Sequence, residues 1–300
     1  MVQNLEIISI GEELLRGKIS NVNARWLAKR ATTLGLHVDR IITVADDTEV
    51  ISSVVREAVQ RKPRLVITTG GLGPTSDDKT MEGIAKGIGH DLELNELGLR
   101  KIVERWQAQL QARESEFSEQ DVKRIKQMLA DQERGEYSPY ILRWATIPKG
   151  SRIIFHPDVR SGGLGITMEV EGVTLIALPG VPQQVKAIFR EWVLPLFSAA
   201  TDKVTFLEKS LNVKGIGESR LSPLIDQVMV ENPQVYIKSR IKGDMIREGI
   251  ELYLSTTAEN PRKAENYLDK ALTQIAELIR EMRARAHSLN QQRLFDGEKQ

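Results

Sequence analysis

The chain has 300 residues, of which 41% are hydrophobic and 28% are charged, and its 42 basic residues nearly balance its 41 acidic residues. This composition is typical of a globular protein of one or two domains and excludes a largely disordered chain. There is no cysteine, which excludes disulfides, zinc fingers, cysteine-ligated iron–sulfur clusters and thiol catalysis. No apolar run reaches the roughly 20 residues of a membrane helix, and a net charge of +1 does not favour nucleic acid. We therefore expect a cytoplasmic protein without a membrane or nucleic-acid partner.

The first ninety residues alternate between strand and helix patterns. The apolar runs predict strands over 5–10, 38–44 and 64–69, and the spacing of apolar residues predicts helices over 22–34, over 48–60 and from about Ser76. Strands separated by helices of this length indicate βαβ units, and hence a parallel sheet covered on both faces. The segment 94–130 is polar and helical, and its apolar stripe is Leu99, Val103, Trp106 and Leu110. We interpret that segment as a solvent-exposed helical excursion from the sheet, which packs against the domain along this one apolar stripe.

The second half of the chain begins with short strands over 151–178, which include a hairpin turn at Glu171 and Gly172. Pro182 suits the first turn of a helix that runs to about Leu194. The residues 198–203 are interpreted as a linker. Beyond it, we predict a small α+β domain over 203–286, with a helix over 217–230, strands over 235–240 and 249–256, and a long helix over 261–285. The first domain is assigned to residues 1–198.

One glycine-rich stretch carries the strongest functional signal: Thr68-Thr69-Gly70-Gly71-Leu72-Gly73-Pro74-Thr75-Ser76-Asp77-Asp78-Lys79-Thr80. It follows a predicted parallel strand and leads into a helix, where ligands of open α/β sheets bind. Glycines let the backbone approach a phosphate, and the amides at a helix start point towards it. Two carboxylates beside a phosphate would repel it unless a divalent cation bridges them, which favours Mg²⁺ or Mn²⁺. The structural alternative is a glycine turn with ordinary acidic capping of the helix.

Further candidates follow the other strands. Asp46 and Asp47 come after the second strand at the same expected sheet edge, where they serve either a site or a turn and helix cap. The stretch from Gly11 to Lys18 superficially resembles a P-loop, but the glycine spacing is wrong and Ile19 replaces the expected hydroxyl residue. Asn23 opens a helix and is a candidate for capping or for substrate contact. The small-residue loops 161–165 and 178–182 are either amide donors to a ligand or plain turns.

Together these motifs resemble the N-terminal domain of the CinA family, part of the wider MoaB/MogA molybdopterin-binding superfamily. The residues that carry the resemblance are Gly11 to Asn23, Asp46, the Gly-Gly-Leu-Gly-Pro-Thr motif from Gly70 with Asp78 and Thr80, and the loop 178–182. The segment from Lys214 to Ser219 resembles the small KH-like domain of CinA proteins. The chain departs from the family pattern at Glu12, in the loop from Ser161, and at Gln183 and Gln184. We expect the protein to lack the family's nicotinamide-mononucleotide deamidase domain, and hence to show no deamidation.

The resemblance implies a three-layer α/β/α fold with a mostly parallel sheet, and metal-dependent hydrolysis of the diphosphate of ADP-ribose. Asp46 and Asp78 would hold the divalent metal, expected to be Mg²⁺ with Mn²⁺ or Co²⁺ as alternatives, and Asp47 or Glu82 would accept the proton of the attacking water. The residues expected to bind the phosphates and the rest of the substrate are Gly11, Glu13, Asn23, Gly70, Gly71, Gly73, Thr75, Ser161 and Gly180. We expect a nucleotide as the small-molecule partner and a homodimer as the assembly.

Two alternatives to hydrolysis stay open. The protein could bind or adenylylate molybdopterin with the same phosphate loop and a different pocket. It could also bind a ligand without turnover and contact nucleic acid through the KH-like segment, although that segment has no basic Gly-x-x-Gly loop and its charge is nearly balanced.

Overall fold

A computed structural model of the chain describes residues 3–113, 118–134, 136–158, 161–198, 205–241 and 249–297. The chain divides into two compact units. The first unit comprises Met1–Thr32 and Leu36–Ala200, and the second comprises Thr33–Gly35 and Thr201–Gln300. Apart from Ser198, the predicted linker lies outside the described residues. Among the helices of the described ranges, none combines the length and the apolar character needed to cross a bilayer.

The first unit is built on a six-stranded, mostly parallel sheet. The strands are β1 (Gln3–Ile10), β2 (Leu36–Val44), β3 (Leu65–Thr69), β6 (Arg152–Phe155), β7 (Leu164–Val170) and β8 (Val173–Leu178). They lie in the order β2-β1-β3-β8-β7-β6. Strands β2, β1, β3 and β8 run parallel, whereas β7 pairs antiparallel with β8, and β6 pairs antiparallel with β7 at the edge. This confirms the predicted α/β class.

The helices of this half alternate with the parallel strands. They are α1 (Glu12–Leu15), α2 (Val22–Thr33), α3 (Thr48–Gln60) and α4 (Thr80–Ile88). In the central strands both faces are covered, because Leu5, Ile7, Ile8 and Ile10 are all at most 2% exposed. The continuous apolar runs of the sequence therefore reflect burial on both sides rather than a solvent-facing sheet.

The predicted start of the helix after β3 is wrong. The helix expected from Ser76 begins at Thr80, because the backbone first forms a turn in which the amide of Asp78 donates to the carbonyl of Thr75. Asp77 and Asp78 therefore belong to the loop before α4 and not to its first turn.

A helical excursion separates α4 from β6. It contains β4 (Leu92–Leu94), α5 (Glu96–Arg113), α6 (Glu119–Glu133), α7 (Pro139–Ala145) and β5 (Thr146–Pro148). The predicted stripe of α5 packs inward, with Leu99 and Leu110 buried and Trp106 partly buried. The short elements β4, β5 and α7 were not predicted, because three-residue strands and a two-turn helix leave no clear periodicity.

The two-residue turn between β7 and β8 is confirmed at Glu171 and Gly172, which both have positive φ angles, 51° and 84°. Such angles match the twist of a tight hairpin. Pro182 begins α8 (Pro182–Ile188), as predicted. The helical path then continues through a π-helical turn (Phe189–Val193) into α9 (Leu194–Ser198), a few residues beyond the expected end.

The second unit is a three-stranded antiparallel sheet with two helices. Its elements are β9 (Thr205–Val213), α10 (Glu218–Glu231), β10 (Val235–Ile241), β11 (Ile250–Ala258) and α11 (Pro261–Gly297), and the sheet order is β10-β11-β9. The central strand buries alternate residues such as Leu252 and Leu254 against Leu268 and Ile275 of α11. Helix α11 extends to Gly297, beyond the predicted end at 285.

Candidate functional site

Three loops meet where strands β1, β3 and β8 end. The amide of Gly70, which follows β3, donates to the carbonyl of Leu178 at 3.1 Å. The hydroxyl of Thr69 donates to the carbonyl of Pro179 at 2.8 Å. The loop that begins at Gly11 lies beside them, because β1 is the other neighbour of β3. These loops occupy the carboxyl edge of a parallel sheet, the usual position of ligands in this class of fold.

The glycines at the start of the β3–α4 loop are required by close backbone approach. Gly70 has a φ angle of +108°, and a Cβ atom there would lie 2.1 Å from the carbonyl oxygen of Ile10. Gly71 has a φ angle of +62°, and its Cβ would lie 2.4 Å from Oγ1 of Thr80. That hydroxyl donates to the carbonyl of Gly70 at 2.8 Å. The fold itself therefore accounts for these two glycines, independently of any ligand.

Asp78 stabilises the same loop through hydrogen bonds. Its Oδ2 accepts hydrogen bonds from the amide of Thr75 at 2.9 Å and from the hydroxyl of Thr75 at 2.6 Å. A Cβ on Gly73 would lie 2.5 Å from the same oxygen. The hydroxyl of Thr75, predicted to contact phosphate, is thus engaged by Asp78. The position before α4 belongs to Lys79, whose side chain makes no capping hydrogen bond.

The carboxylates of this edge line a cavity of about 220 Å³, which we call the acidic pocket. Its acidic lining residues are Glu13, Asp46, Asp77 and Asp78. Burial raises the pKa of Asp46, and the negative charges of Glu13, Asp77 and Asp78 raise it further, against the opposing hydrogen bond from the amide of Glu12. This concentration of negative charge favours a cation or the donor groups of a ligand.

Asp46 is expected to cost the protein stability near neutral pH. Its folded pKa lies above its unfolded value, so the folded state binds more protons between the two values and gains stability as the pH falls through that window. Asp46→Asn should therefore raise the melting temperature at pH 7, with a gain in the free energy of unfolding of less than about 1 kcal/mol because the group is only partly buried. Thermal melts between about pH 3 and pH 8, a range that spans the titration of aspartate, check this. A difference between the two proteins that does not vary with pH would contradict it.

A second and larger cavity, of about 650 Å³, adjoins the acidic pocket, and we call it the aromatic pocket. One side is formed by the glycine loop from Gly71 and the other by Arg105, Trp106 and Trp144 of the helical excursion. The loop around Gly163 and the loop 179–184 close it. Both pockets are lined by Gly71, Asp78, Gly180 and Pro182, so they share a wall. Sequence reasoning missed Arg105 and Trp144 entirely and assigned Trp106 only to the packed stripe.

Arg105 lies against two aromatic rings. Its Cζ is 5.0 Å from the ring centre of Trp144 and 5.9 Å from that of Trp106. Burial lowers the pKa of Arg105, although an arginine side chain stays protonated in proteins. Its Nε and the indole Nε1 of Trp106 are enclosed without a hydrogen-bond partner. A buried donor left unsatisfied costs about 1–3 kcal/mol.

The remaining predicted residues divide between structural and pocket positions. Asn23 donates to the carbonyl of Gly180 at 2.7 Å and to the hydroxyl of Thr69 at 3.1 Å, so it braces the loop 179–182 while lining the acidic pocket. Gly11 lines the same pocket. Asp47 is the N-cap of α3, where its Oδ1 accepts from the amides of Glu49 and Val50 at 2.9 and 3.0 Å.

Two further predicted residues lie away from the acidic pocket. Glu82 is in the first turn of α4 and, with Arg143, lines a third cavity of about 180 Å³, which shares Gly71 and Asp78 with both pockets. Its Oε2 lies 3.4 Å from the side chains of both Thr48 and Lys79. Ser161 contributes its carbonyl, which accepts from Nε2 of Gln184 at 2.8 Å. Ser161 therefore holds one wall of the aromatic pocket through Gln184 instead of facing the cavity itself.

The pocket geometry bears on the predicted metal. Within the described ranges, no three histidine, aspartate or glutamate side chains are grouped so that they could hold a metal ion. Asp46 and Asp78 could supply two ligands at most, and oxygens of a ligand and water would have to complete the coordination. Mg²⁺ is commonly bound in this way, by one or two carboxylates together with substrate phosphates.

Comparison with known proteins places this site in a family. Residues 6–199 match the family model described as probable molybdopterin binding domain. A protein from Sulfurisphaera tokodaii is 34% identical over 276 residues, which cover 91% of this chain and 94% of that protein. A protein from Pyrobaculum calidifontis is 34% identical over 275 residues, covering 91% of this chain and 95% of that protein.

A solved structure gives the same result. The crystal structure of the protein CinA from Thermoplasma acidophilum, a protein of unknown function, is 31% identical to this chain. It superposes with a TM-score of 0.50 and covers 65% of this chain and 98% of that one. The residues matched by the family model include both pockets. The chain therefore belongs to the probable molybdopterin binding domain family, and its first unit is a CinA-like member of it.

Proposed function

We propose that the first unit binds a phosphorylated pterin, with molybdopterin as the leading candidate. The observation that carries this proposal is the aromatic pocket, which is lined by Trp106 and Trp144 together with the glycine loop at the edge of the sheet. A volume of about 650 Å³ is within the usual range for a small-molecule site. The family match over residues 6–199 supports the same ligand class.

A pterin fits this chemistry in two respects. It is a flat heteroaromatic ring, and such rings gain about 0.5–1.5 kcal/mol beyond burial when they pack well against aromatic side chains. Its pyrimidine edge carries N–H donors, and the adjoining acidic pocket offers the carboxylates of Glu13, Asp46 and Asp78 as acceptors. Those carboxylates accept hydrogen bonds only, so a donor edge satisfies them without a change of protonation.

For a diphosphate ligand, we propose that a divalent cation takes the place of the pterin's donor edge, Mg²⁺ first and Mn²⁺ or Co²⁺ next. Asp46 and Asp78 would hold it, and it would offset both the burial and the neighbouring negative charges that raise the pKa of Asp46. When bound, such an ion neutralises phosphate oxygens and lowers the pKa of a coordinated water. The phosphate would lie beside the loop of Gly71 and Gly73, which line the cavity without a side chain of their own.

A second candidate function is hydrolysis of the diphosphate of ADP-ribose, and the acidic pocket favours it. In that reaction water attacks one phosphorus, the bond to the bridging oxygen breaks, and AMP and ribose 5-phosphate are released. Asp47 and Glu82, proposed to accept the proton, do not line the acidic pocket, whereas Glu13 does. Glu13 is accordingly our preferred general base for this candidate.

Titration of the purified protein with molybdopterin and, separately, with ADP-ribose tests these candidates. We expect molybdopterin to quench the fluorescence of Trp106 and Trp144, so that the quenching is clearly smaller in Trp144→Phe and unchanged in Trp192→Phe. Trp192 is a matched control because it lies outside the aromatic pocket and donates to the carbonyl of Phe155 at 2.7 Å. Chromatography of the ADP-ribose mixture, with Mg²⁺ and with a chelator, detects AMP. Cation-dependent release of AMP without molybdopterin binding would contradict the first candidate and support the second.

A further inference from the structure

Arg105 is a cation for which the described part of the chain provides no counter-charge. No hydrogen bond or ion pair joins its guanidinium to any of the described residues, and its Nε is fully enclosed. One carboxylate, that of Asp78, lines the same cavity, but it accepts both of its hydrogen bonds from Thr75 and none from Arg105. Buried or half-buried charges are ordinarily paired, because removing a charge from water is costly.

The position of Arg105 is fixed by packing. The ring of Trp144 lies on one side at 5.0 Å. On another side, a Cβ on Gly162 would lie 2.3 Å from Nε and 2.4 Å from Cζ, so the guanidinium packs directly against the backbone at this glycine. Gly162 itself has a φ angle of +65°, a backbone conformation that favours glycine. The loop 161–163 and α5 together place a planar cation at the wall of the aromatic pocket.

The chemistry of the pocket restricts what this cation can bind. Apart from Arg105 and Asp78, the lining residues are uncharged. A second unsatisfied donor, Nε1 of Trp106, belongs to the same wall. These two enclosed atoms are not reached from the cavity, so a ligand would contact Arg105 through its terminal guanidinium nitrogens. The guanidinium is a donor-only group, and it pairs best with the oxygens of a planar or tetrahedral oxyanion. The neighbouring cavity is already negative, so an anionic group would be directed to the Arg105 end.

We propose that Arg105, held by Trp144 and Gly162, binds a phosphoryl group of the ligand and thereby selects phosphorylated over unphosphorylated ligands. This deepens the proposed function, on which it rests for the identity of the ring. For a pterin it also gives the ligand a direction: the phosphoryl group lies against Arg105, at the wall formed by α5 and α7, and the donor-bearing edge of the ring lies towards Asp46 and Glu13. Arg105 has this role whether the remainder of the ligand is a pterin or a nucleotide.

Inorganic pyrophosphate and a matched pair of pterins, 6-hydroxymethylpterin and its phosphate ester, test the proposal. Binding is followed by tryptophan fluorescence and by the shift of the melting temperature. The variants are Arg105→Met, which keeps the aliphatic stem, Arg105→Lys, which keeps the charge, and Arg152→Gln as control. Arg152 also lies over a tryptophan, with Cζ 5.5 Å from the ring centre of Trp192, but it does not line the aromatic pocket.

For the wild-type chain and Arg152→Gln, we expect the phosphate ester to bind at least tenfold more tightly than the alcohol, and pyrophosphate to raise the melting temperature. In Arg105→Met the preference should fall to about one and the pyrophosphate shift should vanish, and Arg105→Lys should retain part of both. Without ligand, Arg105→Met should melt at or above the wild-type temperature, because it removes an unpaired charge.

Two results would overturn the assignment: unchanged pyrophosphate affinity in Arg105→Met, or a melting temperature well below wild type in both Arg105 variants, which would make the guanidinium a structural support. The proposed function fails separately. If neither pterin binds while pyrophosphate binding depends on Arg105, the ring of the ligand is not a pterin and the role of Arg105 is supported.

Discussion

Replacing Gly70 by alanine should destabilise the first unit by about 2–5 kcal/mol and abolish ligand binding. Two costs add at this position. The φ angle of +108° is unfavourable for any residue with a side chain, and the new Cβ would lie 2.1 Å from the carbonyl oxygen of Ile10. That contact is with the backbone of β1, which cannot rotate away as a side chain could. Denaturant unfolding of the full chain measures the loss of stability.

Gly17→Ala is the matched control. Gly17 also has a positive φ angle, +67°, but a Cβ there would meet nothing within 4 Å. Its substitution should cost only the conformational part, about 1–2 kcal/mol. If both variants lose the same stability, the clash with Ile10 is relieved by movement and the close approach of the two loops is not essential.

Replacing Asp78 by asparagine should weaken the cation-dependent binding of diphosphate ligands at least a hundredfold, and hydrolysis of ADP-ribose, where present, by a similar factor. The substitution keeps the size and one acceptor for Thr75, so the loop should persist. What it removes is one of two carboxylates proposed to hold the cation, and metal stabilisation of phosphate charge is worth several kcal/mol. A hundredfold change in rate corresponds to about 2.7 kcal/mol.

Asp47→Asn provides the comparison for this variant, since it makes the same chemical change in the loop that follows β2. Asp47 caps α3 and does not line the acidic pocket, and asparagine caps a helix about as well as aspartate. Isothermal titration with Mg²⁺ and inorganic pyrophosphate, run on wild type and both variants, should separate them. Equal affinities in Asp78→Asn and Asp47→Asn would return Asp78 to a purely structural role in the loop.

The carboxyl edge of the parallel sheet was predicted well, because short local sequence patterns identify it. Apolar runs identify β1 and β3, and glycine clusters mark the loops that follow them. Even so, the start of α4 was predicted four residues early. The pairing of Asp78 with Thr75 delays the helix, and an Asp-rich stretch before a helix looks the same whether its carboxylates cap the helix or brace a turn.

The wall of the aromatic pocket formed by Arg105, Trp106 and Trp144 could not be predicted from local patterns. Arg105 and Trp144 lie on different helices, far apart along the chain, and only the packing of α5 beside α7 places them together. Read alone, Arg105 belongs to a charge-rich helix surface and Trp106 to an apolar stripe. The signal available was the pair of glycines at 162 and 163, whose lack of side chains makes room for Arg105 and for Gln184.

The pairing of β3 with β8 has a consequence for the order in which the chain folds. The bond from Thr69 to Pro179 spans 110 residues, and closing so long a loop carries an entropy cost before any contact repays it. The β7–β8 hairpin is local and needs no such closure. We therefore expect the hairpin to form early and the ligand-binding edge to be completed late. The amide of Gly70, whose partner is the carbonyl of Leu178, should consequently gain protection from hydrogen exchange after the amides of the hairpin during refolding.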